Sequence, residues 1–315
     1  MSAGEYGTTS RAIRVTRRNQ NKAYVLGLAA VLFWSTVASV FKVTLRYIDP
    51  VQLLLYSNFV SVVILASILM VRGRMREAFS GSRVEYARSA VLGFLNPFLY
   101  YLILFKAYDL LPAQEAQPLN FTWGLVLPLL SMPLLGQRIG ARDLVALLLG
   151  YAGVIVISTH GDVLGFRLTD PLGAGLAVGS AFVWALYWIY NAKDERDPVV
   201  CLFLGFLFSM PMSLIVCAAV SDPIVSDTKG LLGAAYSGAF EMSVTFVLWL
   251  LALKLSENTA KVSMLIFVSP FISLVFIHLI VGEKILTSTI VGLLFIVAGL
   301  VLQKTTSRRS GEKEV

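Results

Sequence analysis

Residues 24–45 read YVLGLAAVLFWSTVASVFKVTL, an apolar run in which Lys42 is the one charged residue. About 20 mainly apolar residues are needed for an α-helix to cross the hydrocarbon core of a bilayer. The run is longer than the core of a secretion signal, and no small-residue cleavage site follows it. It therefore predicts a transmembrane helix that is retained in the mature protein.

The same pattern recurs along the whole chain. The 315 residues are 57% apolar and 14% charged, whereas a soluble domain carries about a quarter charged residues. The sequence therefore predicts an all-α integral membrane protein with ten transmembrane helices and no inserted soluble domain. The ten spans cover residues 24–45, 50–70, 87–107, 113–135, 141–160, 172–191, 198–220, 230–252, 258–281 and 287–304.

The basic residues orient this topology. Of the 26 Lys and Arg, nineteen fall in the two tails and on one side of the membrane, five fall on the other side, and Lys42 and Lys261 lie within spans. The basic side of a membrane protein is normally cytoplasmic. We therefore expect a multi-pass protein of the bacterial inner (plasma) membrane with both termini in the cytoplasm. No basic stripe with interleaved aromatic residues occurs, so the net charge of +7 does not indicate nucleic-acid binding.

Weak internal similarity relates the two halves of the chain. The offset is 146 residues near the ends of the halves and close to 150 near their starts. The paired segments are Leu135-Gly136-Gln137 with Val281-Gly282-Glu283, Ala152-Gly153 with Ala298-Gly299, and Phe33-Trp34 with Val183-Trp184. Chance similarity between apolar helices is the alternative explanation.

If the repeat is real, each unit contains five spans. Because five is odd, the two units cross the membrane in opposite directions, which is a recurring architecture of secondary transporters. The predicted organisation is a basic tail at 1–23, a first five-helix repeat at 24–160, an inverted second repeat at 172–304, and a tail at 305–315.

Three short segments resemble a known family. Leu32-Phe33-Trp34-Ser35-Thr36, running on to Lys42, resembles the opening helix of the drug/metabolite transporter superfamily, EamA type. Gly136-Gln137-Arg138 lies where that family ends its fourth helix with Gly-Glu-Arg and differs from it by an amide, whereas Gly282-Glu283-Lys284 retains the acid. The resemblance covers residues 22–303. Within the superfamily the chain looks most like the bacterial aromatic amino-acid exporters of the YddG type.

The resemblance implies ten helices around a central cavity, in a secondary active transporter that works by alternating access. The expected activity is export of amino acids, above all aromatic ones. A multidrug or other small-metabolite exporter of the same fold is the first alternative, and a channel is the second. The expected partners are a small-molecule substrate and the lipid bilayer; the sequence does not indicate an oligomeric state.

Polar residues inside spans are costly and are therefore functional candidates. Glu241 lies about halfway along helix eight, where neither membrane surface is within easy reach. It is a candidate to pair with a substrate ammonium or to carry a coupling proton. The alternative is a structural contact with a neighbouring hydroxyl or lysine.

Aromatic and amide side chains near the span centres suit a zwitterion with a flat apolar side chain, because rings stack and amides bind both charged groups. They would equally suit a neutral drug-like molecule. The candidates that line the cavity, with Glu241, are Trp34, Ser35, Tyr56, Asn58, Asn96, Tyr100, Tyr101, Gln117, Asn120, Trp123, Trp184 and Tyr187.

Lys42, Glu115 and Lys261 are candidate gating or steering charges. Glu115 and Lys261 are related by the repeat offset of 146, which places them at opposite mouths. The structural alternatives are that Lys42 reaches the membrane surface along its own helix and that Lys261 pairs with Glu257 one turn earlier.

Local sequence also predicts helix shape and packing. Pro97, after Asn96, predicts a kink in helix three, because proline removes a backbone hydrogen bond. The small-residue pairs Gly175/Gly179 and Ala146/Gly150 predict close approach between helices, by packing within the protein or, as the alternative, by dimerisation.

No enzyme motif is present. His160 and His278 are the two histidines, and neither belongs to an HExxH-like or Cys/His metal pattern. A Gly-x-Ser-x-Gly elbow and a phosphate-binding glycine loop are also missing from the sequence. We therefore predict no enzymatic activity, no cofactor and no bound metal.

Overall fold

The structure is a computed structural model that describes residues 19–135, 140–164, 168–256, 262 and 264–311. Over these residues the secondary structure is helical, without a strand, which confirms the predicted all-α class. The terms inner and outer are used below as the charge distribution predicts them.

The main helices are named in chain order. They are α1 (Gln20–Thr44), α2 (Pro50–Val71), α3 (Arg83–Leu110), α4 (Ala113–Phe121 and then Trp123–Leu135), α5 (Ala141–Ser158), α6 (Pro171–Asn191), α7 (Pro198–Val220), α8 (Thr228–Leu255), α9 (Met264–Val268, Ser269–Phe276 and Ile277–Val281) and α10 (Thr287–Gly311). A short helix, Met75–Ala78, lies between α2 and α3.

Six of these helices, α1, α2, α3, α6, α7 and α8, are long and apolar enough to cross a membrane. Shorter apolar helices occupy Leu144–Ser158, Leu265–Val281 and Thr287–Leu302. The protein is thus a multi-pass membrane protein, while the exact number of ten spans stays a prediction.

Several helices extend beyond their predicted apolar limits. For example, α3 begins at Arg83, before the predicted start at 87, because Ser82 and Glu85 form a capping box there. The Glu85 carboxylate accepts from the Ser82 N–H at 2.6 Å, and the Ser82 hydroxyl accepts from the Glu85 N–H at 3.3 Å. Capping of this kind satisfies free backbone donors, so polar turns continue a helix past its apolar part.

Apolar side chains make up the core of the protein and also cover much of its exposed surface. Tyr101, Phe41, Phe105 and Phe206 are among the largest fully buried side chains. At the same time, apolar side chains such as Val71, 90% exposed, cover the outside. An apolar exterior of this extent is what a lipid environment requires.

Helices α2 and α7 are joined at both ends by equivalent contacts. Asp49 caps α2 and accepts from the Ser221 hydroxyl, a contact we call the outer clasp. Asp197 caps α7 and accepts from the Arg74 guanidinium, which we call the inner clasp. Each aspartate begins an Asp-Pro-Val sequence, at 49–51 and 197–199.

The small-residue pairs differ in outcome. A Cβ at Gly299 of α10 would lie 2.6 Å from the Ala146 carbonyl oxygen, and one at Gly150 would lie 2.0 Å from a Leu125 methyl. The predicted close approach at Ala146/Gly150 is therefore confirmed. By contrast, a Cβ at Gly175 or Gly179 would meet nothing within 4 Å, so the predicted contact at that pair is wrong for the described chain, because this face of α6 is left uncovered.

Helix α3 is interrupted in its middle, as Pro97 predicts. Residues Phe94–Leu99 form a wide helical turn, and Asn96 leaves the helical conformation with φ −144° and ψ 121°. At the start of this interruption, Gly93 packs so tightly on α7 that a Cβ there would lie 2.3 Å from the Gly205 carbonyl oxygen. We call Gly93–Leu99 the α3 break.

Helix α8 is interrupted at the equivalent place, which the sequence did not predict. Residues Ser237–Glu241 form a wide turn, and Ser243 departs from helical geometry with φ −130° and ψ −77°. A Cβ at Gly238 would lie 2.4 Å from the Ser57 carbonyl oxygen of α2. We call Ser237–Ser243 the α8 break.

Candidate functional site

Glu241 ends the wide turn of the α8 break and is 9% exposed. The Tyr101 hydroxyl, from α3 just after its own break, donates to Glu241 Oε1 at 3.0 Å. The Ser243 hydroxyl donates to the Gly238 carbonyl at 2.8 Å. This bond supplies a partner for a carbonyl that the interruption of the helix leaves without one. The two broken helices therefore meet at this carboxyl group.

A cluster of aromatic rings lies beside this contact. The Trp184 ring of α6 lies 4.5 Å from Tyr100, 5.8 Å from Tyr187 and 5.9 Å from Phe246. Trp34 of α1 extends the cluster from the other repeat, at 5.7 Å from Phe246. These separations allow favourable ring contacts.

Amide groups border the rings on the side of α4. The Tyr100 hydroxyl donates to Asn120 Oδ1 at 3.2 Å, and Asn120 Nδ2 donates to the Ser180 hydroxyl at 2.8 Å. The side-chain amide oxygen of Gln117 is buried and accepts no hydrogen bond from the described residues.

Asn96 stands out among the amides. It is 2% exposed, and within the described chain neither its oxygen nor its nitrogen makes a hydrogen bond. The Tyr187 hydroxyl approaches the amide without the geometry of a hydrogen bond. Buried polar groups are normally paired, so Asn96 has capacity for an additional partner.

Four of the predicted cavity residues are engaged elsewhere. The Tyr56 hydroxyl donates to the Pro223 carbonyl at 2.9 Å, at the outer end of α2. The Asn58 amide donates to the Ser209 hydroxyl of α7. The Ser35 hydroxyl lies 3.1 Å from that of Ser269 on α9. Trp123 packs with Val126, Leu127 and Leu130 against Ala181 and Ala185 of α6.

Two of the three candidate gating charges, Lys42 and Glu115, lie at the outer side. Lys42 Nζ donates to the carbonyls of Tyr108 and Leu111, both at 2.7 Å, so it caps the carboxyl end of α3. Glu115 is 1% exposed, and its Oε1 lies 2.7 Å from His160 Nε2 and 3.1 Å from the Thr169 hydroxyl that donates to it. Lys261 lies outside the described residues.

The sequence did not predict a polar contact at the outer side between Glu283 and the start of α4. Glu283 accepts from the N–H groups of Ala113 at 2.8 Å and Gln114 at 3.1 Å, so an acid of the second repeat caps α4 of the first. Gln114 Oε1 accepts from the Leu286 N–H at 2.9 Å. The Gly-Glu-Lys segment at 282–284 drew notice in the sequence, but its partner lies about 170 residues away.

Phe246 and Ser180 were missed as well. Phe246 links the ring clusters of the two repeats, and it is separated from Tyr101 by the same 145 positions that separate Asn96 from Glu241. A search for repeat-related aromatic positions would have found it. Ser180 carries no comparable signal.

One cavity lies on the outer side, between α2, α3, α6 and α7. Its volume is about 410 Å³. The lining residues are Asp49, Pro50, Val51, Leu102, Ile103, Lys106, Leu176 and Val220. The predicted site residues are not part of this lining; Asn96 and Tyr187 instead border a narrow crevice on the inner side, with Gly205 and Phe206.

The connection between α6 and α7 carries a compact ion pair. Arg196 Nη2 lies 2.6 Å from Asp194 Oδ2, and the Asp194 side chain is 2% exposed. Hydrogen bonds from Arg196 hold the pKa of the Asp194 carboxyl below its usual value. This carboxylate is therefore buried as a fully paired ion.

The site combines a buried carboxyl group, flat rings and unpartnered amide atoms. Such a set can bind an ammonium group, stack an apolar ring and hydrogen-bond a carboxylate. Among the described residues there is no group of three or more His, Cys, Asp or Glu that could hold a metal ion.

Comparisons with known proteins agree with a transporter. The sequence model of the EamA-like transporter family matches residues 21–159 and again 171–303. An uncharacterized transporter of Archaeoglobus fulgidus is 24% identical over 303 residues, covering 92% of this chain and 99% of its own. The aromatic amino acid exporter YddG of Ancylobacter novellus is 24% identical over 242 residues, covering 75% and 81% of the two chains.

A solved crystal structure shares the fold. It superposes with a TM-score of 0.65 at 20% sequence identity, covering 92% of this chain and 99% of that one. The family match extends over most of the sequence, in two copies, which also confirms the resemblance seen in the short motifs. This chain belongs to the EamA-like transporter family, within the drug/metabolite transporter superfamily.

Proposed function

We propose that the protein exports amino acids, above all aromatic ones, across the bacterial inner membrane by alternating access. The observation that carries this proposal is the position of Glu241 beside the aromatic cluster. A carboxylate next to a cluster of aromatic rings matches a molecule that has an ammonium group close to a flat side chain.

The two breaks supply complementary chemistry for a zwitterion. Glu241 at the α8 break accepts hydrogen bonds from an ammonium group, and the unpartnered amide nitrogen of Asn96 at the α3 break donates to a carboxylate. The rings of Tyr100, Trp184 and Phe246 then receive the side chain. A buried donor without a partner costs about 1–3 kcal/mol, and a substrate that supplies the partner recovers it.

The match to a transporter family supports a carrier rather than a channel. In alternating access the two sides open in turn around a central site. The name of the Ancylobacter relative, an aromatic amino acid exporter, supports the substrate class.

Uptake into proteoliposomes tests the proposal. Purified protein would be reconstituted, and entry of radiolabelled Phe, Trp and Ala and of a cationic dye would be measured. We expect saturable uptake of Phe and Trp that is stimulated by unlabelled Phe on the opposite side. Dye uptake without amino-acid uptake would favour the multidrug alternative, and uptake that neither saturates nor shows counter-transport would favour a channel.

Competitors that lack one charged group refine the result. Phenethylamine has no carboxylate, and 3-phenylpropionate has no ammonium group. Both should inhibit Phe uptake more weakly than Trp does, because each leaves either Asn96 or Glu241 without its partner. Equal inhibition by 3-phenylpropionate and by Trp would contradict the role given to Glu241.

A further inference from the structure

We propose that the connection between α2 and α3, with the first residues of α3, is a binding surface for anionic phospholipids of the inner leaflet. Its cations are Arg72, Arg76 and Arg83, which we call the inner arginine patch. The guanidinium groups bind the headgroup phosphates, and neighbouring apolar side chains lie among the upper parts of the acyl chains. This inference goes beyond the proposed function and does not depend on which molecule is transported.

The first observation is that the patch has no partner within the described chain. Its three arginines are exposed, and none of them forms an ion pair or a side-chain hydrogen bond with a described residue. Arg74, in the same connection, is by contrast paired with acids of the chain itself. A guanidinium group presents its donors in a planar fork that fits a phosphate. The patch is therefore free to bind an anion from outside the chain.

Apolar side chains accompany these cations. Val71, Phe79 and Val84 are between 64% and 90% exposed. Val71 directly precedes Arg72, and Val84 directly follows Arg83. Exposed apolar residues beside cations are typical of an element that lies at the boundary between headgroups and acyl chains. A soluble anion would use the arginines alone and leave the apolar side chains in water, so the combination favours a lipid.

The connection is held in place on the inner end of α7. The Phe79 ring lies 6.4 Å from that of Phe203 on α7, with an edge-to-face geometry. The Tyr86 hydroxyl of α3 donates to the Ala78 carbonyl and accepts from the Gly81 N–H, both at 3.2 Å. The inner clasp adds an ion pair to the start of α7. Because the backbone between the arginines is already ordered, less freedom is lost when a headgroup binds.

The corresponding connection of the second repeat shows what distinguishes the inner face. Residues 221–227, between α7 and α8, contain Asp222 and Asp227 but no lysine or arginine. They also expose an apolar side chain, Ile224. Apolar exposure is thus common to both faces, whereas the cations occur only at the inner one. A basic residue next to an anionic leaflet strengthens binding about fivefold, so the inner connection has a preference for anionic lipid that the outer one lacks.

Thermal unfolding in mixed micelles tests the proposal. Purified full-length protein in a neutral detergent would be melted with increasing amounts of dioleoyl phosphatidylglycerol or dioleoyl phosphatidylcholine. We expect the anionic lipid to raise the melting temperature at lower concentrations, because it binds the folded protein, and salt should reduce this difference. Glycerol 3-phosphate, a soluble phosphate, should have no effect at the same concentrations. Equal effects of the two lipids, or an equal effect of glycerol 3-phosphate and phosphatidylglycerol, would overturn the proposal.

Two triple variants assign the preference to the patch. The combination Arg72→Gln, Arg76→Gln and Arg83→Gln should weaken the apparent affinity for phosphatidylglycerol roughly 100-fold, as the product of three fivefold effects. Its melting temperature without added lipid should stay near wild type, because the three side chains make no printed contact to lose among the described residues. Replacing the same arginines by lysine keeps the charge but not the fork, and should retain more of the preference than the glutamine variant does.

A control removes the same charge from the outer side, with Arg46→Gln, Lys106→Gln and Lys229→Gln. Both glutamine variants keep the excess of basic residues on the inner side, so the orientation is unchanged. The control should prefer phosphatidylglycerol as wild type does. An undiminished preference in the inner variant would move the lipid to the basic tails and overturn the proposal. An equal loss in both variants would overturn it as well, since the lipid would then respond only to net charge.

Discussion

The α3 break and the α8 break have a similar backbone arrangement but different polar side chains. Asn96 and Glu241 are 145 positions apart, and so are Gly93 and Gly238. In each break the glycine touches a backbone carbonyl of a helix from the other repeat, and the polar residue follows three positions later. The repeats thus share the mechanics of the interruption, while the side chains at the centre have diverged into an amide and an acid.

Under the proposed function, this difference gives the two halves separate roles. A site with two amides would bind neutral molecules, and a site with two acids would bind cations. One amide and one acid fit a zwitterion, with the negative end near the first repeat's break and the positive end near the second's. Substitutions in either break therefore test this division of roles.

The largest expected effect is at Glu241. Glu241→Gln keeps the shape and hydrogen-bonding capacity of the side chain but removes its charge and its proton site. We expect transport of Phe and Trp to be abolished while expression, monodispersity and the melting temperature in detergent stay near wild type. Uptake and thermal unfolding measured on the same preparation check this. An equal loss of folding and transport would reduce Glu241 to a structural role.

The glycine contacts come next. Alanine at Gly93 or at Gly238 places a Cβ 2.3 or 2.4 Å from a backbone oxygen, so two helices must move apart. Overpacking of this kind costs about 1–3 kcal/mol, which should lower the melting temperature of both variants.

Gly179→Ala on α6 is the matched control for both, because its Cβ would meet nothing within 4 Å. Alanine has a higher helix propensity than glycine, so this variant should be as stable as wild type or slightly more stable. If Gly93→Ala behaved like Gly179→Ala while Gly238→Ala did not, the two breaks would not be mechanically equivalent.

A smaller and more selective effect is expected at Asn96. Asn96→Ala removes the proposed partner of the substrate carboxylate but leaves Glu241 in place. Loss of a hydrogen bond to a charged group costs about 1.5–3 kcal/mol, so the affinity for Phe should fall roughly 10- to 100-fold. Inhibition by phenethylamine should change little. Equal weakening of both compounds would place the carboxylate elsewhere.

The unequal predictability of the two breaks has a simple physical cause. Pro97 signals the α3 break in the sequence, because proline removes a backbone donor wherever it occurs within a helix. The α8 break contains no proline. It is stabilised by the close contact of Gly238 with Ser57 and by the hydroxyls of Ser243 and Thr245, which donate to carbonyls five residues earlier. The contact with Ser57 joins residues that are distant in sequence, so no local sequence pattern indicates it.

The same limit applies to the candidate site. Apolar run lengths were enough to predict the all-α membrane fold, and the cost of a buried acid was enough to select Glu241. The partners of Lys42, Tyr56 and Asn58 lie 66, 167 and 151 residues away. Their polar character within a span makes each one a candidate, but whether it faces a substrate or another helix depends on the packing.

The smallest expected effect concerns the two clasps. Like the two breaks, they occupy corresponding places, at the two ends of α2 and α7, but differ in their side chains. The inner clasp joins ions, Arg74 and Asp197, whereas the outer clasp joins Asp49 to the neutral hydroxyl of Ser221. An exposed ion pair contributes about 0–1 kcal/mol and is screened by salt, while a hydrogen bond contributes about 0.5–1.5 kcal/mol.

Arg74→Ala removes the ion pairs of Arg74 with Asp197 and with Glu77, so it should lower the melting temperature at low salt and less so at high salt. The loss of the hydrogen bond in Ser221→Ala should lower the melting temperature by an amount that does not depend on salt. Thermal unfolding in detergent at two salt concentrations measures both. A salt-independent loss for Arg74→Ala would mean that the inner clasp acts through packing of the Arg74 stem, and the two clasps would then differ in geometry rather than in charge.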